Sequence, residues 1–421
     1  MKQKTIFFPT LVLVSIVILS ACAGLNASEE VVIDGEYGPQ YTPQEHQRRT
    51  FDALWNIFGE NYIYFKTADV DWESIREEYN ARIDSELTNE EFISLMRNLE
   101  GDLPTGALTY QSRAERIESD IEDFSTYEGI GAFIGFKAEE APHIVVLDVI
   151  EGSPAEKAGI KPHDSIFEID GSPVLLEEGI DVVNRVRGPA GSTVTLSVRT
   201  PGTAERIIEV TRAELVSRGK LEARQLEDSA YGYILFPPIS YEGLLEEFLV
   251  SMQTFTTNQQ LEGLILDLRI ASSSGGWPLE ELLTLFHDGA VGDFYNSAQQ
   301  KQSLVVEGQD VFGSQSVPLI ILIGQNTSGF PEILAAALQE DERAIVIGET
   351  TPGAVENSTA YYLPDGSRVF IETTSFRLSN GEEIGLSGVQ PQFEIEAGWD
   401  EVVPSNDPVL DKAVEILGTE K

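Results

Sequence analysis

The chain has 421 residues and carries 70 Asp and Glu against 28 Lys and Arg, a formal net charge of −42. A field of that sign argues against nucleic acid as a partner, and the acids are spread along the chain, not gathered in a tail. A single cysteine excludes an internal disulfide, so packed cores must supply the stability, and this length suits two or three of them. His46, His143, His163 and His287 are scattered, which argues against a zinc site, and no metal or cofactor is expected.

Lys2 and Lys4 open the chain, Ile6 to Leu19 is almost wholly apolar, and Leu19-Ser20-Ala21-Cys22 closes the run with small residues before a cysteine. Charged, greasy, small is the order of an export signal, assigned here to residues 1–22. The apolar run falls short of the roughly 20 residues that a membrane span needs. Cys22, used nowhere else, ends a lipobox-like tetrapeptide, so the expectation is an extracytoplasmic lipoprotein of the cell envelope, anchored in a membrane through Cys22. An ordinary signal peptide with a chance cysteine is the alternative.

Residues 23–40 are small, polar and acidic, as in a flexible tether. Residues 41–126 have a helical pattern: Phe51, Leu54, Trp55 and Phe58 recur at helix spacing, Trp72 to Tyr79 and Glu90 to Leu99 repeat it, and Thr88 to Glu91 makes a helix start. These aromatic stripes are assigned to a core. Residues 127–215 switch to short strands, with Ile144 to Val149, Ser165 to Ile169, Thr193 to Arg199 and Arg206 to Thr211 the clearest. Two short helices interrupt them, Ser153 to Gly159 and Gly179 to Val186. A polar connector, 216–230, leads to residues 231–421, where strands alternate with helices. The strands are Tyr231 to Leu235, Gly263 to Leu268, Val317 to Ile323 and Ala344 to Ile347; the helices are Gly243 to Phe255, Leu279 to Phe286 and Pro331 to Leu338. A hairpin around Asp365-Gly366 and a closing helix, Asp407 to Leu417, complete it. The fold class is α/β, a helix-covered, largely parallel sheet with a helical N-terminal region and an inserted β-rich domain.

The run from Gly152-Ser153-Pro154 through Ala158-Gly159 to Ile169-Asp170-Gly171, with Val186 to Val194 further on, closely resembles bacterial PDZ domains. That resemblance implies binding of an extended peptide by strand addition, with the terminal carboxylate held on the backbone of Gly129, Ile130, Gly131 and Ala132. A PDZ fold serving only as a spacer or lid is the alternative.

Residues 231–421 resemble the C-terminal-processing, or tail-specific, serine peptidases. The stretches that carry it are Gly263 to Arg269 with Gly275-Gly276, Asn326-Thr327 with Glu332 to Leu338, Arg343 to Gly353, and Leu363 to Ser367 with Gly388 to Pro391. The resemblance implies a serine at the start of a helix, activated by a lysine, with oxyanion donors from Gly275 and Gly276. Here the serine position is Gly329 and the lysine position is Ala354, so neither reacting side chain is present. The Asp-x-His of many relatives is also absent from Leu103 to Leu108, and Ile270 to Ser274 makes a long link before the glycine pair.

Ser328 is one residue early for a nucleophile; the plainer assignment is that Thr327 or Ser328 caps the helix containing Pro331. Ser272, Ser273 and Ser274 read as a polar loop, and Glu349 and Glu356 as two carboxylates among many. No lysine lies between Lys301 and Lys412. The expected function is therefore binding of extended peptides or protein C-termini by a degenerate peptidase. The alternatives are an active serine endopeptidase using Ser328 and a structural partner of an active relative. The oligomeric state is left open by the sequence.

Overall fold

The computed structural model describes residues 41–419 apart from 122–125, 140, 217–218, 228, 258–259, 273–275, 386 and 404. The export signal, Cys22 and the tether lie outside the described residues, as do Ser273, Ser274 and Gly275.

The N-terminal region opens with three helices, Pro43–Asn61, Trp72–Ile83 and Asn89–Asp102, and adds a fourth, Arg113–Ile121, after a strand. Two of the first three start on reciprocal caps. Thr42 Oγ1 accepts from Glu45 N while Glu45 accepts from Thr42 N, and Thr88 and Glu91 repeat the exchange. Phe51, Leu54, Trp55 and Phe58 are all buried and pack with Tyr79, Ile83, Met96 and Leu99. The same core reaches Val369 and Ile371, so the helices are bolted to the C-terminal half of the chain.

The region is not helical throughout, as its pattern suggests. Leu108–Gln111 is a strand paired antiparallel with Arg368–Ile371. It is the edge of an antiparallel sheet ordered Leu108–Gln111, Arg368–Leu378, Gly289–Asn296 and Lys301–Val306, with Asn357–Tyr362 also on Arg368–Leu378. The two strands between 289 and 306 escape sequence reading. Val291, Tyr295 and Val306 are buried but most of their other positions are partly or fully exposed, so the pattern is broken, and pairing with a distant strand fixes them.

The larger sheet runs Glu222–Gln225, Tyr231–Leu235, Gly263–Asp267, Leu319–Ile323, Ile345–Gly348 and Phe393–Glu394. Its first pair is antiparallel and the others are parallel, so the connector contributes an edge strand as well as a link. Gly263–Asp267 and Leu319–Ile323 are buried at every residue. Alternate side chains serve opposite faces. Leu264, Leu266, Leu319 and Ile321 meet Phe248, Leu283 and Ile333; Ile265, Ile320 and Leu322 meet Val409, Ala413 and Leu417 of the helix Pro408–Thr419. Truncating one of these leucines to alanine costs about 2–5 kcal/mol.

The PDZ module is a sheet ordered Ala132–Lys137, His143–Val149, Ser165–Ile169, Thr193–Arg199 and Arg206–Thr211. Its second helix is a 3-10 turn, Leu176–Val182, running into Val183–Val186, with a break at Gly179. The chain enters and leaves the module through one two-stranded ribbon, Thr126–Gly129 against Ala213–Val216. Beyond the ribbon, Val145 and Leu147 pack on Ile270 and Trp399 of the core. Asp400 accepts from His143 Nε2 at 2.8 Å, Lys137 Nζ at 3.2 Å and Ser165 Oγ at 3.2 Å. Burial opposes ionisation of Asp400, but these partners hold its carboxyl well below the usual range.

Candidate functional site

The parallel strands end at one edge, where their loops converge, the usual position of a site in such a sheet. After Leu319–Ile323 the chain turns tightly. Thr327 N donates to Gly324 O, and Gly324 N donates to Thr327 Oγ1. Thr327 Oγ1 itself donates to Leu268 O at 2.8 Å, and Ser328 N to Ala271 O at 3.1 Å. The loop that leads to Gly329 therefore lies along the loop that leads to the glycine pair, and Ser328 forms a parallel bridge with Ser272.

The expected cap by Thr327 or Ser328 is not formed. The helix Phe330–Glu340 is capped at Gly329, with φ 72° and ψ −127°. The Thr327 hydroxyl is spent across the loop, and Glu332 closes the helix start instead by accepting from Gly329 N at 2.9 Å. The backbone at Gly329 thus makes a sharp strand-to-helix turn in a region that side chains rarely adopt, the kind of elbow that lifts a nucleophile out of a sheet.

Glu332 is fully buried. Besides Gly329 N, its carboxylate accepts from Thr351 Oγ1 at 2.5 Å and from the N–H of Gly353, the residue before Ala354, at 2.6 Å. Burial pushes its carboxyl above the usual range, opposed by these donors. One carboxylate thereby ties Gly329 to Gly353, the neighbour of Ala354, across 24 residues of chain (353 minus 329). Gly329 is buried and Ala354 exposed. Thr351 Oγ1 also accepts from Val389 N at 2.8 Å, which ties in the stretch Gly388 to Pro391. Sequence reasoning used Glu332 only to set the register. The three-residue spacing between a helix-capping residue and a glutamate was the signal that could have shown its role.

The remaining candidates have other surroundings. Gly276 is exposed with φ 87°, and its carbonyl accepts from Ser240 Oγ at 3.2 Å. Glu356 accepts from Ser375 Oγ at 3.0 Å and from Tyr64 Oη. Glu349 lines a polar recess with Asn326, Glu396, Asp400 and Glu401; burial and those neighbouring carboxylates push its carboxyl up. The segment Leu103 to Leu108 is a turn and strand, with Gly106 against Glu372.

On the PDZ side, Gly129 ends the ribbon opposite Ala213, and buried Ile130 accepts from Ala155 N through its carbonyl at 2.8 Å. Gly131 has φ 85°, and a Cβ there would overlap Ser153. Ala132 begins the strand Ala132–Lys137, which among the described residues pairs on one side only, with His143–Val149. Leu175, Leu176 and Ile180, on and before the neighbouring turn, are 43%, 57% and 55% exposed. A free strand edge beside apolar side chains is suited to an added peptide strand. The same strand abuts the core site: a Cβ on Gly135 would overlap Asn326 Oδ1, three residues before Gly329.

Comparison with known proteins accounts for this arrangement. Residues 43–101 match the Tricorn protease C1 domain, 145–200 a PDZ domain and 230–395 peptidase family S41. A carboxy-terminal processing protease of Bacillus subtilis is 27% identical over 331 residues, covering 77% of this chain and 66% of the relative. A carboxyl-terminal-processing protease of Synechocystis is 26% identical over 352 residues, covering 81% of this chain and 79% of the relative. The chain thus spans just under two thirds of the Bacillus protein's length and more of the other's. In fold, it is similar to the photosystem II D1 C-terminal processing protease, with a TM-score of 0.63 at 22% identity over 90% of this chain and 98% of that one. With these three domains in this order and relatives of that name, the chain belongs to the C-terminal-processing, or tail-specific, peptidase family.

Proposed function

We propose that this protein is an exported, lipid-anchored member of the family that binds extended peptides or protein C-termini and does not cut them efficiently. The observation that carries this is the pair Gly329 and Ala354. Gly329 and the residue before Ala354, Gly353, both donate to the Glu332 carboxylate, in the register of a nucleophile and its base, and neither Gly329 nor Ala354 has a side-chain atom that can attack a carbonyl or accept a proton. The frame for binding is present around them: a free PDZ strand edge, and the strand-to-helix elbow three residues from its contact with Asn326. Anchoring rests on the sequence of residues 1–22 and on Cys22. Function lives in the site and not in the fold, so membership of a peptidase family does not restore the missing groups.

The test compares the native chain with the double variant Gly329→Ser, Ala354→Lys on an unfolded protein with an apolar C-terminus. The expected result is cleavage by the double variant alone, with both proteins retaining the peptide. Cleavage by the native chain would overturn the proposal. In that event, loss of serine-directed phosphonate labelling in Ser328→Ala would identify the nucleophile.

A further inference from the structure

A cavity of about 540 Å³ lies where the PDZ module, the edge strand Glu222–Gln225 and the C-terminal segment meet. That volume falls within the roughly 300–1,000 Å³ of small-molecule pockets. It is separate from the peptide edge: the PDZ strand that lines it is His143–Val149, through Leu147 and Asp148, and not Ala132–Lys137.

Its floor is apolar, made by Leu147, Leu235, Ile270 and Trp399. The polar groups at the floor are already engaged. Trp399 Nε1 donates to Leu147 O, Tyr233 Oη donates to Asp267, and the Arg269 guanidinium is shared between Asp267 and Asp407. An occupant bearing amides in its body would leave them unpaired there, at a cost that an acyl chain avoids. The rim is different. Lys161 on the PDZ module and Lys220 and Arg224 on the connector are exposed around the mouth, facing Asp148 and Glu222. In a chain with 28 cations against 70 carboxylates, a mouth with three of one and two of the other reverses the prevailing sign.

We propose that this cavity binds an acyl-chain carboxylate, with its tail on the floor of Ile270 and Trp399 and its head at Lys161, Lys220 and Arg224. Such a ligand touches the PDZ module and the core at once. It also lies against Ile270, next to Ala271, whose carbonyl holds Ser328 N. The site does not depend on whether Gly329 and Ala354 leave the protein inactive.

The test is calorimetric titration of the full chain with dodecanoate below its micellar concentration. Saturable one-to-one binding is expected. The variant Lys161→Ala, Lys220→Ala alters exposed side chains that leave the core intact, and should weaken binding at least about tenfold. Dodecanol should bind as weakly to the native chain as dodecanoate does to the variant. Absence of saturable binding, equal affinity for dodecanol, or an unchanged affinity in the variant would each overturn the proposal. So would binding of an apolar tripeptide with a free carboxylate that the Lys161→Ala, Lys220→Ala variant weakens equally, since that would place an amide-bearing ligand on a floor argued to exclude one.

Discussion

Removing the Glu332 side chain should loosen both halves of the candidate site at once. Glu332→Ala deletes the acceptor of the Gly329 and Gly353 N–H groups and one partner of the Thr351 hydroxyl, all at a fully buried position. Each buried donor left without a partner costs about 1–3 kcal/mol, but water entering the vacated space would satisfy some of them. A net loss of about 4 kcal/mol is expected. Glu332→Gln keeps the volume and one acceptor oxygen but turns an NH2 group toward donors, so about 2 kcal/mol is expected. The chain holds several cores, so a single unfolding midpoint is not a clean measure. Hydrogen exchange of the segment 324–356 is the sharper assay: Glu332→Ala should lose protection there while the helices at 43–102 keep theirs. Unchanged protection at Gly329 and Gly353, with stability within about 0.5 kcal/mol of native, would refute the idea that this carboxylate organises the site.

Further outcomes follow from single positions. Burial and the neighbouring Glu356 push the Glu372 carboxyl up to about 7 from 4.5. Between those values the folded chain keeps a proton that the unfolded chain has released, so this group's contribution to stability is complete below 4.5 and is lost as pH rises through 7. The full shift would correspond to about 3 kcal/mol; with partial exposure, about 1–2 kcal/mol is expected, and Glu372→Gln should flatten that part of the profile of melting temperature against pH. At φ 72° and ψ −127°, Gly329→Ser and Gly329→Ala should each cost about 1–3 kcal/mol in denaturant titration, because strain from a Cβ, not the hydroxyl, sets the penalty. Gly131→Ala should drive a Cβ into Ser153 and abolish hydrogen-exchange protection across 129–137, with the segment 324–356 unaffected.

The parts of the fold that were legible in the sequence are those whose pattern is local. Gly263–Asp267 and Leu319–Ile323 are unbroken apolar runs because both their faces are covered, and the Thr88–Glu91 cap announces its helix. Leu108–Gln111, Gly289–Asn296 and Lys301–Val306 were not legible, since each becomes a strand by pairing with chain far away in sequence or by continuing that pairing. At the site, Gly329 and Ala354 were assigned through the family resemblance, and their role belongs to the proposed function. Glu332 could not be told from other glutamates by composition in a chain with 70 acidic residues; its importance lies in complete burial and in donors from two loops.

On the proposed function, glycine at 329 and alanine at 354 differ in physical consequence. A serine at position 329 would have to hold φ near 72°, a cost of about 1–3 kcal/mol that a nucleophile's elbow imposes and that glycine does not carry. A lysine at position 354 would have to lose hydration to act as a base, whereas alanine on that exposed loop has no charge to desolvate. On the proposed function, then, both changes remove chemistry and also remove a stability cost that only catalysis required. Glu332 belongs to the other class. Its loss would leave several buried donors unsatisfied whether or not a peptide bond is cut, so the frame around Gly329 and Ala354 is held by a group whose value does not depend on the reaction.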